Sequence, residues 1–191
     1  MEERIQFEDI PGRIFLDTSV VNFILDYGEQ IHEDASIPER LSERRQMDIN
    51  ALRWMWLTGQ RASWQLVVSP YTLREIQNTK NPDRRAKLEN WFWDLWGYWI
   101  TIAEEYGESP QNGEFGDTWR QLVGSGYLDV LKDDADKRLV CHAVTYSCDC
   151  FCTRDWRTIL KHKATLSSLG LQFLAPSEWW GLVKPYAALW Y

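Results

Sequence analysis

Arg13-Ile14-Phe15-Leu16-Asp17-Thr18-Ser19-Val20-Val21-Asn22-Phe23-Ile24 is the stretch that decides the fold. Ile14, Phe15 and Leu16 form an apolar run with no polar alternation, as expected of a strand buried on both faces. The run stops at Asp17. Val20, Val21, Phe23 and Ile24 then recur at helical spacing. A buried strand running straight into an amphipathic helix is the start of a β-α unit, with a carboxylate at the junction.

The pattern repeats along the chain. Leu66-Val67-Val68 reads as a second buried strand, and Ser69-Pro70 opens a helix with a capping residue and a first-turn proline. Glu75 falls on that helix, which Asn81-Pro82 ends. Cys150-Phe151-Cys152 reads as a third strand, followed by Thr153-Arg154-Asp155 and a helix beginning near Asp155. Leu171 to Leu174 reads as the last strand, and Pro176 opens a final helix over Glu178 to Val183. Residues 27–37 are polar and read as a loop. Ser36-Ile37-Pro38-Glu39 has the form of a helix start, with Ser36 as the cap. Leu41, Met47, Ile49, Leu52, Met55 and Trp56 continue it as a stripe, and Gly59 stops it. These residues make a helical insert at about 36–58.

Residues 83–97 are expected to be helical, with a short strand at Trp99–Ile102. A loop is expected over 107–116, which hold three glycines and a proline, and a helix over about 117–124. An acidic turn from Asp129 to Asp136 leads into a helix over 137–147. Strands and helices therefore alternate, which predicts a three-layer α/β/α sandwich with a mostly parallel central sheet. A chain of 191 residues suits one domain over 1–191. In such sheets, ligands bind outside the carboxyl ends of the strands.

The net charge of -7 argues against a polyanionic substrate unless cations offset it. Basic residues would have to gather at a cleft, and Arg44, Arg45, Arg84, Arg85, Arg154, Arg157, Lys161 and Lys163 are the candidates. The N-terminus lacks the apolar core of a signal peptide, and no run is long enough to span a membrane. Cys141, Cys148, Cys150 and Cys152 are confined to one segment, unlike a disulfide framework, so a reducing cytoplasmic location is expected.

Asp17 and Asp155 both follow strands, so a parallel sheet puts them on one edge. Glu75 and Asp136 lie on the helices that follow the second strand and precede the third. Crowded carboxylates raise one another's pKa, and Mg2+ or Mn2+ relieves this because hard cations prefer carboxylate oxygens. One or two such ions can polarise a phosphoryl oxygen and activate water. Asp17, Glu75, Asp136 and Asp155 are thus candidate metal ligands and catalytic residues. Thr18, Ser19 and Thr153 are candidates to orient them.

These segments resemble PIN domains. "IFLDTSVVNFIL" is similar to their opening strand and helix, and "VVSPYTLREI" to their second strand and helix. "DADKRLVCHAVTYSCDCFCTRD" is similar to the third block, and "ILKHKATLSSLGLQFLAPSEWW" to the closing one. The resemblance covers most of 12–183. It implies a Mg2+- or Mn2+-dependent endoribonuclease, with RNA as substrate and water attacking without a covalent side-chain nucleophile. Many relatives are toxins of toxin–antitoxin pairs, so an antitoxin is an implied partner, and a homodimer is another. Where the family often has Asp-Ala-x-His, this chain has Asp136-Lys137-Arg138-Leu139. Asp134 and Asp136 therefore compete for one ligand position.

Each feature also has a plainer explanation. Asp17 and Asp155 can cap the helices that follow them, Glu75 can be a solvated helix residue, and Asp136 can favour a helix N-terminus. The cysteines, on alternate positions of a strand, fit reduced packing better than zinc. Trp91, Trp93, Trp96 and Trp99 fit a core or subunit contact better than base stacking. Trp190-Tyr191 fits a docked tail or an oligomer contact. Two rival functions stand: a catalytically inactive PIN-like module that binds RNA or protein, and a haloacid dehalogenase-type phosphatase. The second would need Asp-x-Asp, and Ser19 occupies its second acid position.

Overall fold

The computed structural model describes residues 6–59, 61, 62, 64–105 and 115–190, except the Trp190 side chain. Its four strands are β1 (Arg13–Leu16), β2 (Gln65–Val67), β3 (Cys150–Cys152) and β4 (Gln172–Leu174). They hydrogen-bond in the order β2-β1-β3-β4, every pair parallel. Between β1 and β2 come α1 (Thr18–Asp26), α2 (Gly28–His32) and α3 (Glu43–Gly59). Between β2 and β3 come α4 (Pro70–Gln77), α5 (Pro82–Glu105), α6 (Phe115–Gly124) and α7 (Asp134–Thr145). The short α8 (Lys163–Leu166) precedes β4, and α9 (Pro176–Val183) follows it.

Side-chain alternation builds the layers. Ile14, Leu16, Cys150 and Cys152 face one core with Val20, Ile49 and Trp179. Phe15, Val67, Phe151 and Phe173 face the other with Trp99, Leu139 and Ala143. Both faces of the sheet are therefore covered, giving the α/β/α sandwich. Phe15 stacks on Phe151 at 5.3 Å, and Phe151 meets Phe173 at 5.5 Å, forming an aromatic row across three strands. The chain leaves β1 toward β2 on one side, while β3 lies on the other. The order thus reverses between β1 and β3, and a crevice is expected at their carboxyl ends.

Local chemistry fixes the element ends. Ser69 and Thr72 form a capping box on α4, with Pro70 in the first turn. The Asp133 carboxylate caps α7 through the Ala135 amide. Gly170 takes φ 72° in the turn before β4, a conformation that favours glycine.

Several expected boundaries differ. Trp99–Ile102 is not a strand but part of α5. Leu88, Phe92, Leu95, Trp99 and Ala103 recur at helical spacing and are all buried there, so packing overrides the local β preference of the aromatic residues. The polar segment 27–37 contains α2. The insert helix starts at Glu43 rather than Ser36, and the amide of Gln46 donates to the Ser42 carbonyl in its first turn. Met47, expected in the apolar stripe, is 53% exposed, while Asp48 and Ala51 are buried. No helix begins at Asp155. Turns run from there to a 3-10 turn at Leu160–His162. The expected loop at 107–116 lies mostly outside the described residues, as does Tyr191 of the expected C-terminal tail.

All four cysteines are free and buried. Cys150 and Cys152 belong to one core and Cys141 and Cys148 to the other, so the three alternate cysteines do not share a face. In the tryptophan stripe, Trp99 is buried, Trp91 and Trp96 pack against the cores, and Trp93 is 54% exposed. Among the described residues, no helix is long and apolar enough to cross a membrane.

Candidate active site

Asp17 occupies the N-cap position of α1, yet its side chain makes no capping hydrogen bond. It instead accepts hydrogen bonds from Ser19 Oγ and from Thr153 Oγ1, the latter at 2.6 Å. The carboxyl is 5% exposed. Burial raises its pKa and the Asp155 charge adds to the rise, against the lowering effect of the two hydroxyls. A helix cap would not need a donor from the neighbouring strand, so simple capping does not account for Asp17.

Glu75 on α4 accepts a hydrogen bond from Thr18 Oγ1. Burial raises its pKa, and the charges of Asp17, Asp136 and Asp133 raise it further. Asp136, in the first turn of α7, is pushed up from 3.8 to about 6 by burial, with Asp17, Asp133 and Asp155 adding to the shift. A hydrogen bond from Thr158 opposes it. Asp134 faces away, with its side chain 76% exposed and 3.7 Å from Lys137. Of the two competing acids, Asp136 is the one within range of the others.

Asp155 differs from the rest. It accepts from the amides of Arg157 at 2.8 Å and Thr158 at 2.7 Å, and from the Thr158 hydroxyl. Burial raises its pKa, but the Thr158 and Arg157 hydrogen bonds and the Lys161 charge outweigh that, and the net direction is down. Local capping therefore explains part of its environment.

Asp17, Glu75 and Asp136 are within electrostatic range of one another, and Asp155, after β3, is within range of Asp17 and Asp136. The leading charge effects on Asp17, Glu75 and Asp136 all come from other carboxylates. All donors are hard oxygens, which suits Mg2+ or Mn2+. Among the described residues, no group of three or more His, Cys, Asp and Glu side chains is arranged to hold an ion as it stands. The carboxylates are engaged by hydroxyls instead, and these bonds would have to adjust around a cation. No family model, curated protein or solved structure matches the chain.

The basic candidates do not gather in one place. Arg45 and Arg154 line a cavity of about 210 Å³ that also includes Ser19. Arg84 lines a different cavity, of about 430 Å³, and pairs with Asp26. Lys163 pairs with Glu178, and Arg44 lies over the Trp156 ring at 4.2 Å.

Sequence reasoning missed two participants. Asp133 adds charge beside Glu75 and Asp136. The Thr158 hydroxyl donates to Asp155 and lies beside Asp136. The Asp155-Trp156-Arg157-Thr158 spacing carried a signal for it, since an Asp side chain commonly accepts hydrogen bonds from residues just downstream. The pair of buried Asp48 and half-buried Arg154, at 2.9 Å, gave no such signal, because its members are far apart in sequence.

Proposed function

We propose that this chain is a PIN-like, Mg2+- or Mn2+-dependent endoribonuclease that hydrolyses RNA phosphodiester bonds. One observation supports the reading: Asp17, Glu75 and Asp136, brought by β1-α1, α4 and α7 to the sheet edge where the strand order reverses, each have carboxylates as their leading charged neighbours. A fold tolerates such crowding at a cost that a bound divalent cation offsets. Asp17, Glu75, Asp136 and Asp155 would hold the ion, which when bound would supply Lewis acidity toward a phosphoryl oxygen.

The other side chains orient this set. Ser19 and Thr153 fix the Asp17 carboxylate, Thr18 fixes Glu75, and Thr158 fixes Asp155. Hydroxyl donors hold carboxylates in place without cancelling their charge, which is what orienting groups around a metal site do. Burial pushes the Asp136 carboxyl up to about 6, with the neighbouring carboxylates adding to the rise, so its charge is lost on acidification sooner than that of an ordinary aspartate. Ser19 donates to Asp17, an orienting role unlike that of the second acid in Asp-x-Asp phosphatases.

The test is cleavage of a mixed-sequence single-stranded RNA in Mn2+, in Mg2+ and in EDTA. The proposal expects cutting with either metal and none in EDTA. Cutting that persists unchanged in EDTA would contradict it.

A further inference from the structure

The cavity beside Asp17 is not used by the acid cluster. From α1 it takes Ser19, Asn22, Phe23 and Asp26, with Tyr27 just beyond. The insert helix α3 supplies Arg45, and the segment after β3 supplies Arg154. Ser19 belongs to both sites: its hydroxyl donates to Asp17 and accepts from the Arg154 amide at 3.0 Å. A group in the cavity is therefore one residue away from the carboxylates.

The two arginines are prepared differently. Arg154 is fixed. Its Nε bonds buried Asp48 at 2.9 Å, and its guanidinium lies 3.5 Å from the centre of the Phe23 ring. Only Nε is used in the Asp48 pair, and a guanidinium has further donors that suit a phosphate. Arg45 is exposed, and among the described residues no carboxylate pairs with it. Asp26, the one acid of the lining, is already paired with Arg84. The cavity thus carries net positive charge on the rim of an acidic cluster, in a chain whose overall charge is -7.

We infer that this cavity, built by Arg45 of the insert helix together with Arg154, is the subsite for a backbone phosphate of single-stranded RNA flanking the scissile bond. The inference rests on the nuclease reading for the identity of the strand. A phosphate there is positioned by charge and by the guanidinium donors, while Asn22, held between Arg84 and the Thr18 carbonyl, shapes the wall. The insert then serves to hold the substrate, and the local positive charge overcomes the repulsion expected from the chain as a whole.

The test is binding of a labelled single-stranded oligoribonucleotide to the full chain in EDTA, followed by fluorescence anisotropy over a range of salt concentrations. Each phosphate neutralised on a single strand contributes about -0.7 to the slope of log K against log salt. Arg45→Ala should flatten the slope by about 0.7 and weaken binding roughly 10-fold at low salt. Arg45→Lys should keep the slope. Arg85→Ala, outside the cavity, should match wild type. Equal loss in Arg45→Ala and Arg85→Ala, or no loss in either, would overturn the subsite. Displacement of the RNA by inorganic phosphate at matched phosphate concentration would make this a free-anion site and would also overturn it. Wild-type RNA cutting in Mn2+ with an unmoved Arg45→Ala slope would sink the subsite alone. An Arg45-dependent slope without any cutting would sink the nuclease reading and leave the cavity as an RNA-phosphate site with no scissile bond beside it.

Discussion

Asp17 and Asp155 stand at similar places, each just past a strand, yet their carboxylates are held in opposite ways. Asp155 is served by the amides that follow it and sits below its ordinary pKa. Asp17 takes hydroxyls from its own helix and from beyond the adjacent strand and sits above it. Sequence could propose both acids, because each ends a strand candidate. It could not rank them, because the difference lies in contacts between distant segments. Thr153 is fully buried against Asp17, so Thr153→Val removes a donor from a buried carboxyl. The expected loss is about 1–3 kcal/mol of stability, measured by urea denaturation. Asp136 gives a pH prediction. Its folded pKa of about 6 lies above the ordinary 3.8, so the folded state binds the proton more tightly than the unfolded one. Stability is therefore lost as pH rises through that window and stays lost above it. In EDTA, Asp136→Asn should gain in melting temperature over wild type progressively between about pH 4 and pH 7. A gap independent of pH would show that Asp136 does not carry this charge cost.

At the scale of elements, β1 with α1 and β2 with α4 were legible because apolar runs and capping residues are local signals. Ser69 is the clearest case. Ser69→Ala removes the cap of α4, the helix that carries Glu75, and should cost about 1 kcal/mol in thermal or chemical unfolding. The helix over 83–97 is legible, but its continuation through Trp99 is not, because the aromatic residues there favour strands locally, whereas burial of one face of a long helix decides the outcome. Trp99 is 1% exposed and joins the second core. Trp99→Ala should therefore cost about 3–5 kcal/mol, read from the urea midpoint at constant slope. A cost below 1 kcal/mol would contradict its place in that core. α3 was legible as a helix but not in where it starts, since its first turn is set by Gln46 reaching back to the Leu41 carbonyl at 2.8 Å. That start places Arg44 over Trp156 and Arg45 at the cavity beside Ser19.

Across the whole molecule, the alternation of strands and helices was enough to predict the sandwich, and parallel pairing puts the acid-bearing strand ends on one edge. The distribution of charge was not legible. A net charge of -7 hides an acidic cluster and a basic cavity that share Ser19, because their residues come from widely separated segments. If the acids form a cation site, Mn2+ should raise the melting temperature of wild type by several degrees at pH 7.5. It should do so much less at pH 5, where Asp136 is largely protonated. The most direct test of the central claim is Mn2+-dependent RNA cleavage by wild type, Asp17→Asn, Asp136→Asn and Asp134→Asn, each shown to be folded. The expected result is a loss of about 100-fold or more in Asp17→Asn and Asp136→Asn, with Asp134→Asn close to wild type. Cleavage by Asp17→Asn at the wild-type rate would contradict the account.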